Sequence, residues 1–264
     1  MLSMCFLTFF NGKKPVLFPD ITYSFYSVWA DLYRIPYEKQ KLDDNMKIVP
    51  EDYYKENGGV IFPNPNAPTG LLMDLDSVRD IIEHNKDVVV IVDEAYIDFG
   101  GVSAKDLVNE YDNVLVVQTF SKSRSMAGMR IGYAFGSKEL IKALNDVKFS
   151  FNSYTMNMTS IDMGVASIND KKYFEECVER ITATRERTKE ELTKLGFTFP
   201  DSKANFIFAT HKSVPAKEIF EKLKDLNIFV RYFAQPGIDN YLRITIGTDE
   251  QMDKLINALS EIVG

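Results

Sequence analysis

Five short apolar runs in the first 136 residues constrain the fold of this chain more than any other feature. They are PVLF, GGVIF, VVVIVD, VLVVQTF and IGYAFG, and polar or amphipathic stretches separate them. Nearly continuous runs rich in valine and isoleucine are typical of parallel strands that are buried on both faces of a sheet. Residues 73–85 have the pattern of a crossover helix. The first half therefore predicts an α/β layered domain.

The second half has a different pattern. Residues 171–195 form a long amphipathic stretch whose predicted buried stripe contains Phe174, Val178 and Ile181. The remaining apolar segments are ANFIFATH, IFVRYF and YLRITIG, with helical patterns over 215–226 and 250–263. We predict a large domain over residues 1–160 and a smaller α+β domain with three strands over 161–264, which includes the long helix as the link between the two.

Composition argues against several classes of function. The 264 residues carry a net charge of −7 and no basic stripe, which argues against nucleic-acid binding. The two cysteines and two histidines lack metal-ligand spacing, so we expect no metal site and a reduced, cytoplasmic setting. Residues 1–10 are apolar but too short to span a membrane, and they lack the basic flank of a secretory signal. No phosphate-binding GxxxxGK[ST] stretch occurs.

The stretch TFSKSRSMAGMR, residues 119–130, is the strongest candidate for chemistry. Lys122 follows an apolar run, which places it at the carboxyl end of a strand, where open α/β sheets bind ligands. Burial and a neighbouring cation such as Arg130 favour a neutral, nucleophilic lysine amine. The hydroxyls of Thr119 and Ser121, together with the guanidinium, suit a phosphate dianion. The alternative is a serine-rich loop with a structural arginine. That alternative readily explains either half of the motif by itself, but it explains the two halves together less well.

Four other residues are candidates for the same crevice. Asp93 ends the run VVVIVD and Tyr96 follows it, Asn66 lies in the turn PNPNAPTG, and Tyr23 could stack on a flat ring. Taken singly, each has an ordinary structural explanation as a cap, a loop residue, a turn residue or a core residue. Together with Lys122 they match the groups that pyridoxal 5'-phosphate needs. These groups include a lysine that forms a Schiff base and a carboxylate that keeps the pyridine nitrogen protonated.

The order Tyr23, PNAPTG, DEAY, SKSRSMAGMR and LRITIGT resembles the fold-type-I pyridoxal-phosphate aminotransferases, and within them most closely the histidinol-phosphate aminotransferase branch. The resemblance covers essentially the whole chain, and the spacing from lysine to arginine with DEAY upstream is its most specific element. It implies a mostly parallel mixed sheet in a large cofactor domain, a smaller α+β C-terminal domain and a homodimer.

The resemblance also implies a role for each crevice residue. Lys122 forms the Schiff base and carries the proton between substrate and cofactor. Asp93 pairs with the ring nitrogen, Tyr96 hydrogen-bonds the ring hydroxyl and Tyr23 stacks on the ring. The cofactor phosphate is held by Thr119, Ser121 and Arg130.

Two C-terminal arginines carry the implied substrate specificity. Arg243 resembles the arginine that grips the α-carboxylate in these aminotransferases, and with Arg231 it resembles the pair that holds the substrate phosphate. A guanidinium fork suits either anion, which accounts for both histidinol phosphate and 2-oxoglutarate as substrates. The implied reaction is transamination of these two in histidine biosynthesis. A surface salt bridge is an equally open explanation for Arg231.

Two departures from the family pattern stand out. Ala67 occupies the position before PTG where the family commonly has an asparagine that bonds the ring hydroxyl, and Asn66 is the candidate replacement. Met1 also begins on the helix that usually follows a phosphate-binding turn, so we expect an incomplete phosphate cup. The alternatives are therefore a related aromatic aminotransferase, a decarboxylase of a phosphorylated amino acid, or a folded fragment without activity.

Overall fold

The computed structural model describes all residues from 1 to 264 and contains two sheets. The first has six strands in the order β2-β1-β3-β4-β5-β6. Their bounds are Val16–Pro19 (β1), Tyr37–Gln40 (β2), Gly59–Pro63 (β3), Val90–Asp93 (β4), Val114–Thr119 (β5) and Gly132–Phe135 (β6). The first five are parallel and β6 is antiparallel to β5, so the predicted mostly parallel mixed sheet is confirmed.

The apolar runs became strands because both faces of the sheet are covered. Every residue of β1, β3 and β4 is buried. Strand β2 was not predicted, since its sequence YEKQ contains no apolar run and two of its four residues are exposed. It lies at the edge of the sheet, where only one neighbour is needed and polar side chains reach water.

Four helices build the layers around this sheet. They are Leu2–Phe9 (α1), Phe25–Tyr33 (α2), Leu75–Glu83 (α3) and Lys138–Phe151 (α4). Helices α1, α2 and α4 pack on the face that contains Ile61, Ile91 and Leu115. Helix α3 packs on the opposite face, against Val60 and Val92. The alternation of these side chains along β3 and β4 produces the two cores.

The second sheet is antiparallel and has the order β7-β8-β10-β9. Its strands are Phe197–Thr198 (β7), Phe206–His211 (β8), Arg231–Tyr232 (β9) and Leu242–Thr245 (β10). Helices Ala216–Asp225 (α7) and Asp249–Val263 (α8) share one apolar core with it. The prediction of three strands was one short, because the two-residue β7 is too brief to produce a pattern.

Helices Met158–Asn169 (α5) and Lys171–Lys194 (α6) connect the two sheets. The predicted domain boundary at residue 160 falls within α5 and stays a prediction. The predicted stripe of α6 is only half-buried, and the fully buried residues lie further along the helix and are mostly polar. They are Thr184, Arg185, Thr188, Lys189 and Leu192. No helix in the chain has both the length and the apolar character needed to cross a membrane.

Candidate active site

A cavity of about 380 Å³ opens at the carboxyl ends of β4 and β5. Seven of the eight predicted cofactor residues line it: Tyr23, Asp93, Tyr96, Thr119, Ser121, Lys122 and Arg130. A larger and shallower depression of about 580 Å³, near Lys86 and Asp112, lies at the amino ends of the strands and contains none of them. The parallel sheet therefore brings the predicted residues together at the edge where its strand ends converge.

Asp93 supplies a buried carboxylate at the base of the cavity. It is 5% exposed, and its Oδ2 accepts a hydrogen bond of 2.8 Å from the Tyr26 hydroxyl. Burial raises the pKa of Asp93 to about 6, while the hydrogen bonds from Tyr26 and the Ala95 amide and the charge of Lys122 act in the opposite direction. The carboxylate is therefore ionised at neutral pH and is suited to pair with a cationic ring nitrogen.

Lys122 and Arg130 make the other end of the cavity positive. The Lys122 Nζ lies 5.2 Å from the centroid of the Tyr96 ring, and neither cation forms an ion pair with a carboxylate. The Thr119 Oγ1 lies 2.9 Å from the Ser121 Oγ, which places two hydroxyls beside these cations. Cations and hydroxyls without an acidic partner are the groups that bind a phosphate.

The loop that carries Lys122 has a constrained backbone. Ser125 and Arg130 have φ angles of 53° and 56°, in the left-handed region that residues other than glycine seldom adopt. The Ser123 hydroxyl donates a hydrogen bond to Asp98, which fastens the residue next to Lys122 to the segment after Tyr96. Such backbone conformations persist where surrounding contacts hold them, and they concentrate at functional sites.

The structure does not bring Asn66 to the cavity. Its side chain is buried, and its amide donates to the Ile21 carbonyl at 3.1 Å and to the Thr69 hydroxyl at 3.2 Å. Its Oδ1 accepts from the Thr22 hydroxyl. The neighbouring Ala67 lines the cavity instead. The amide of Asn66 is therefore occupied in holding the turn.

Sequence reasoning missed two parts of this site. Tyr26, which holds Asp93, lies in the first turn of α2, and its ring packs edge-on against Tyr23, which precedes the helix; the closeness of the two tyrosines in sequence was the available signal. The start of α1 also lines the cavity, through Met1, Leu2 and Ser3. The amino end of a helix favours a negatively charged ligand.

Arg231 and Arg243 lie directly opposite each other on β9 and β10. Both guanidinium groups lie over the Phe233 ring, at 5.5 Å and 5.9 Å from its centroid, and neither forms a salt bridge. The Nε of Arg243 is buried and has no hydrogen-bond partner. Like charges placed opposite each other repel, and a buried donor without a partner is costly, so this pair suits an anionic ligand.

Aromatic contacts join the arginine pair to the cavity. The Arg243 guanidinium lies 5.2 Å from the centroid of the Phe206 ring. The Tyr96 ring packs edge-on against Phe206, with centroids 5.1 Å apart, and Tyr96 in turn lies under Lys122. A series of ring contacts therefore runs from Lys122 through Tyr96 and Phe206 to Arg243, although neither Arg231 nor Arg243 lines the cavity itself.

Comparison with known proteins identifies the family. The sequence model of the family aminotransferase class I and II matches residues 1–259 of this chain. The histidinol-phosphate aminotransferase of Clostridium beijerinckii is 53% identical over 263 residues, which cover 100% of this chain and 74% of that protein. The chain belongs to the histidinol-phosphate aminotransferases, within aminotransferase class I and II. The resemblance predicted from the sequence is confirmed.

Solved structures agree on the fold of this aminotransferase. The histidinol-phosphate aminotransferase from Clostridium acetobutylicum has a TM-score of 0.91 at 24% identity, over 98% of this chain and 81% of that one. The histidinol-phosphate aminotransferase from Sinorhizobium meliloti, solved in complex with pyridoxal 5'-phosphate, has a TM-score of 0.90 at 21% identity. The match covers 99% of this chain and 74% of that one. The predicted fold type I is confirmed.

Proposed function

We propose that this aminotransferase converts L-histidinol phosphate and 2-oxoglutarate into imidazole acetol phosphate and glutamate, a step of histidine biosynthesis, with pyridoxal 5'-phosphate as its cofactor. The observation that carries the proposal is a cavity that contains Lys122 and an ionised Asp93, connected through the Tyr96 and Phe206 rings to an arginine pair without an acidic partner. The names of the relatives at about half identity support the same reaction.

The cavity has the groups that the cofactor requires. Asp93 would face the ring nitrogen and Tyr23 the ring, while Thr119, Ser121 and Arg130 would hold the phosphate. Tyr23 is 41% exposed, so its ring is available for stacking. When bound, pyridoxal phosphate supplies an electron sink that stabilises negative charge on the substrate carbon. The proposed roles of these residues rest on this placement.

The residues of the chain itself perform the positioning and the proton transfer. Lys122 is the base that takes the proton from the substrate carbon and returns it to the cofactor side, since its amine is the basic group that protrudes into the cavity. Tyr26 keeps the Asp93 carboxylate oriented through its hydrogen bond. Tyr96 covers one side of the Lys122 amine with its ring and limits the access of water there.

Arg231 and Arg243 bind the anionic end of each substrate in turn. The phosphate of histidinol phosphate and a carboxylate of 2-oxoglutarate both present oxygen atoms in a geometry that guanidinium groups match. A transaminase must accept two different substrates in one site, and a shared anion position meets this need. The pair would accept other phosphorylated amino acids as well, so a decarboxylase of such a compound is the second candidate.

One set of assays tests the proposal. We expect purified protein with added pyridoxal phosphate to show a visible absorption band that disappears on borohydride reduction, which leaves the cofactor covalently attached to Lys122. Lys122→Ala should show no such band. Glutamate should then form from histidinol phosphate and 2-oxoglutarate, and much less from unphosphorylated histidinol. Release of carbon dioxide from an added phosphorylated α-amino acid, with no glutamate formed from histidinol phosphate, would favour the decarboxylase. Absence of the band would mean that this chain does not work as an enzyme.

We also propose that the protein is a cytoplasmic homodimer whose interface includes α5. This helix exposes Ile161, Val165 and Ile168 along one face at 48%, 56% and 57%, and Phe151 at the end of α4 is 72% exposed. Contiguous exposed apolar side chains mark interaction surfaces. Light scattering should give about twice 30.2 kDa, and Ile161→Glu with Val165→Glu should give a monomer. Val102→Glu, at an isolated exposed position, is the control and should stay dimeric.

A further inference from the structure

The guanidinium of Arg185 connects the two sheets beside the active site. Arg185 lies on α6 and is 4% exposed. Its Nη1 donates to the Phe99 carbonyl at 2.8 Å and to the Ala204 carbonyl at 2.9 Å. Phe99 belongs to the segment after β4, and Ala204 precedes β8. We infer that Arg185 is a positioning residue that sets the cofactor side of the site relative to the anion-binding side.

Each of the two carbonyls lies close in sequence to a residue of the site. Phe99 ends a short helical turn that begins directly after Tyr96, and its amide donates to the Tyr96 carbonyl. Ala204 lies two residues before Phe206, the ring under Arg243. Arg185 therefore holds the backbone on both sides of the contact between Tyr96 and Phe206.

The junction that Arg185 spans is closely packed. Ala67, Ala204 and Phe206 form a buried cluster against Tyr96. The Lys203 amide donates to the Gly70 carbonyl at 2.8 Å, and a Cβ on Gly70 would lie 2.3 Å from the Ser202 hydroxyl. Because Ala67 and Tyr96 also line the cavity, a shift at this junction reaches the cavity and is not absorbed by free space.

The partners of Arg185 distinguish it from the next buried cation of α6. Arg185 has one carboxylate partner, Glu186, and its remaining bonds cross between the two sheets. Lys189 is 7% exposed and binds Glu186, Asp201 and the Ser202 carbonyl, none of which belongs to the first sheet. Loss of either cation leaves buried acceptors unpaired, but only loss of Arg185 releases the Tyr96 segment.

This inference rests on the proposed function, and kinetics of the holoenzyme test it. We expect Arg185→Met to raise the KM for histidinol phosphate and for 2-oxoglutarate roughly tenfold, with a smaller fall in kcat, because the loss of charged hydrogen bonds displaces Arg243 from the cofactor. Lys189→Met is the matched control, with a similar fall in Tm and each KM within about twofold of wild type. A lowered Tm with unchanged KM in Arg185→Met would overturn the inference.

Arg185→Lys keeps the charge and covers the case in which Arg185→Met fails to fold. Both carbonyls accept from one nitrogen of Arg185, Nη1. The lysine ammonium lies one bond nearer the backbone than that nitrogen, and lysine has no counterpart of the Nε that donates to Glu186, so we expect an increase in KM of roughly threefold. An Arg185→Lys enzyme with the wild-type KM would contradict a positioning role.

Amide hydrogen exchange separates this inference from the proposed function. Arg185→Met should exchange faster over both 94–101 and 202–208, whatever substrate the enzyme accepts, whereas Lys189→Met should affect only the second segment. If the wild-type chain does not transaminate histidinol phosphate but both segments loosen, the proposed function is wrong and the positioning role stands. Faster exchange in one segment only, or in neither, would contradict the positioning role.

Discussion

The two ends of the active site differ in how completely the protein satisfies their polar groups. At the carboxyl ends of β4 and β5, Asp93 is bonded by Tyr26, and Thr119 lies beside Ser121. On the small sheet, Arg231 and Arg243 face each other without a carboxylate, and one buried nitrogen has no partner. At the proposed cofactor end the Asp93 carboxylate and the two hydroxyls are thus prebuilt before any ligand binds, although Lys122 and Arg130 lack an acidic partner there as well. At the proposed substrate end neither arginine has a side-chain partner, and a bound anion would supply one.

This difference matches what each end has to do. A prebuilt site loses little freedom on binding, so it can hold a cofactor that stays through many turnovers. An uncompensated pair of cations gains the most interaction energy when an anion binds. The pair is left without an anion again when the product leaves. The following changes test the two ends separately.

Lys122→Ala should have the largest effect, at the prebuilt end. Removal of the amine that is proposed to bond the cofactor and carry the proton should lower kcat by at least about 10³-fold. Because Lys122 is partly exposed, the free energy of unfolding should change little. Lys142→Ala, at an exposed ion pair on α4, is the control with normal turnover. Similar turnover in the two variants would remove Lys122 from the mechanism.

Asp93→Asn should reveal the cost of a buried charge in the cofactor-free protein. The pKa of Asp93 is raised from 3.8 to about 6, so the folded state binds this proton more tightly than the unfolded chain does. Ionisation therefore lowers the stability as the pH rises from about 4 to above 6, by up to about 3 kcal/mol at pH 7.

Urea unfolding of wild type and Asp93→Asn at pH 4 and pH 7 measures this effect. The asparagine variant retains an acceptor for Tyr26 without the charge, so it should be the more stable protein at pH 7 and close to wild type near pH 4. A variant that is less stable at pH 7 would show that the carboxylate is better compensated than its burial indicates.

Arg243→Met should act mainly through KM, at the incomplete end. A charged hydrogen bond to the substrate contributes about 1.5–3 kcal/mol, so kcat/KM for histidinol phosphate should fall roughly 10- to 150-fold. The free energy of unfolding should stay the same or rise, because a like charge opposite Arg231 is removed. Lys217→Met, an exposed cation on α7, serves as control. A large loss of stability would mean that Arg243 is structural.

Arg231→Met should have the smallest effect, a fall in kcat/KM of at most about fivefold, because Arg231 is exposed and its charge is screened. The double variant with Arg243→Met sharpens the result. If both arginines bind one anion, the effects of the two changes should not multiply. Effects that multiply fully would mean that the two side chains bind different groups.

Sequence patterns predicted which residues come together at the first sheet, because chain topology determines it. Asp93 and Lys122 follow buried runs, and parallel strands bring such positions to one edge. The orientation of Asn66 was not predictable in this way, because a side-chain amide in a turn can bond its own backbone neighbours or face the cavity. The two orientations differ only by a rotation of the side chain.

Arg185 escaped prediction for a related reason. A charged residue within an amphipathic helix pattern ordinarily lies on the solvent face. Its burial depends on two carbonyls, at Phe99 and Ala204, that lie 86 and 19 residues away in sequence. Local patterns carry no information about such partners. The same holds for the register that places Arg231 opposite Arg243 across a sheet.

Helix α6 limits how the length of this chain can vary. Its 24 residues span about 36 Å. Near its start Phe174 lies 4.1 Å under the guanidinium of Arg124, further along Arg185 meets Phe99, and near its end Leu192 belongs to the small-sheet core. One inserted residue would turn every later side chain by about 100° around the axis. Insertions that surface loops tolerate would here misalign all contacts beyond them, so related chains should conserve the length of this helix even where its sequence changes.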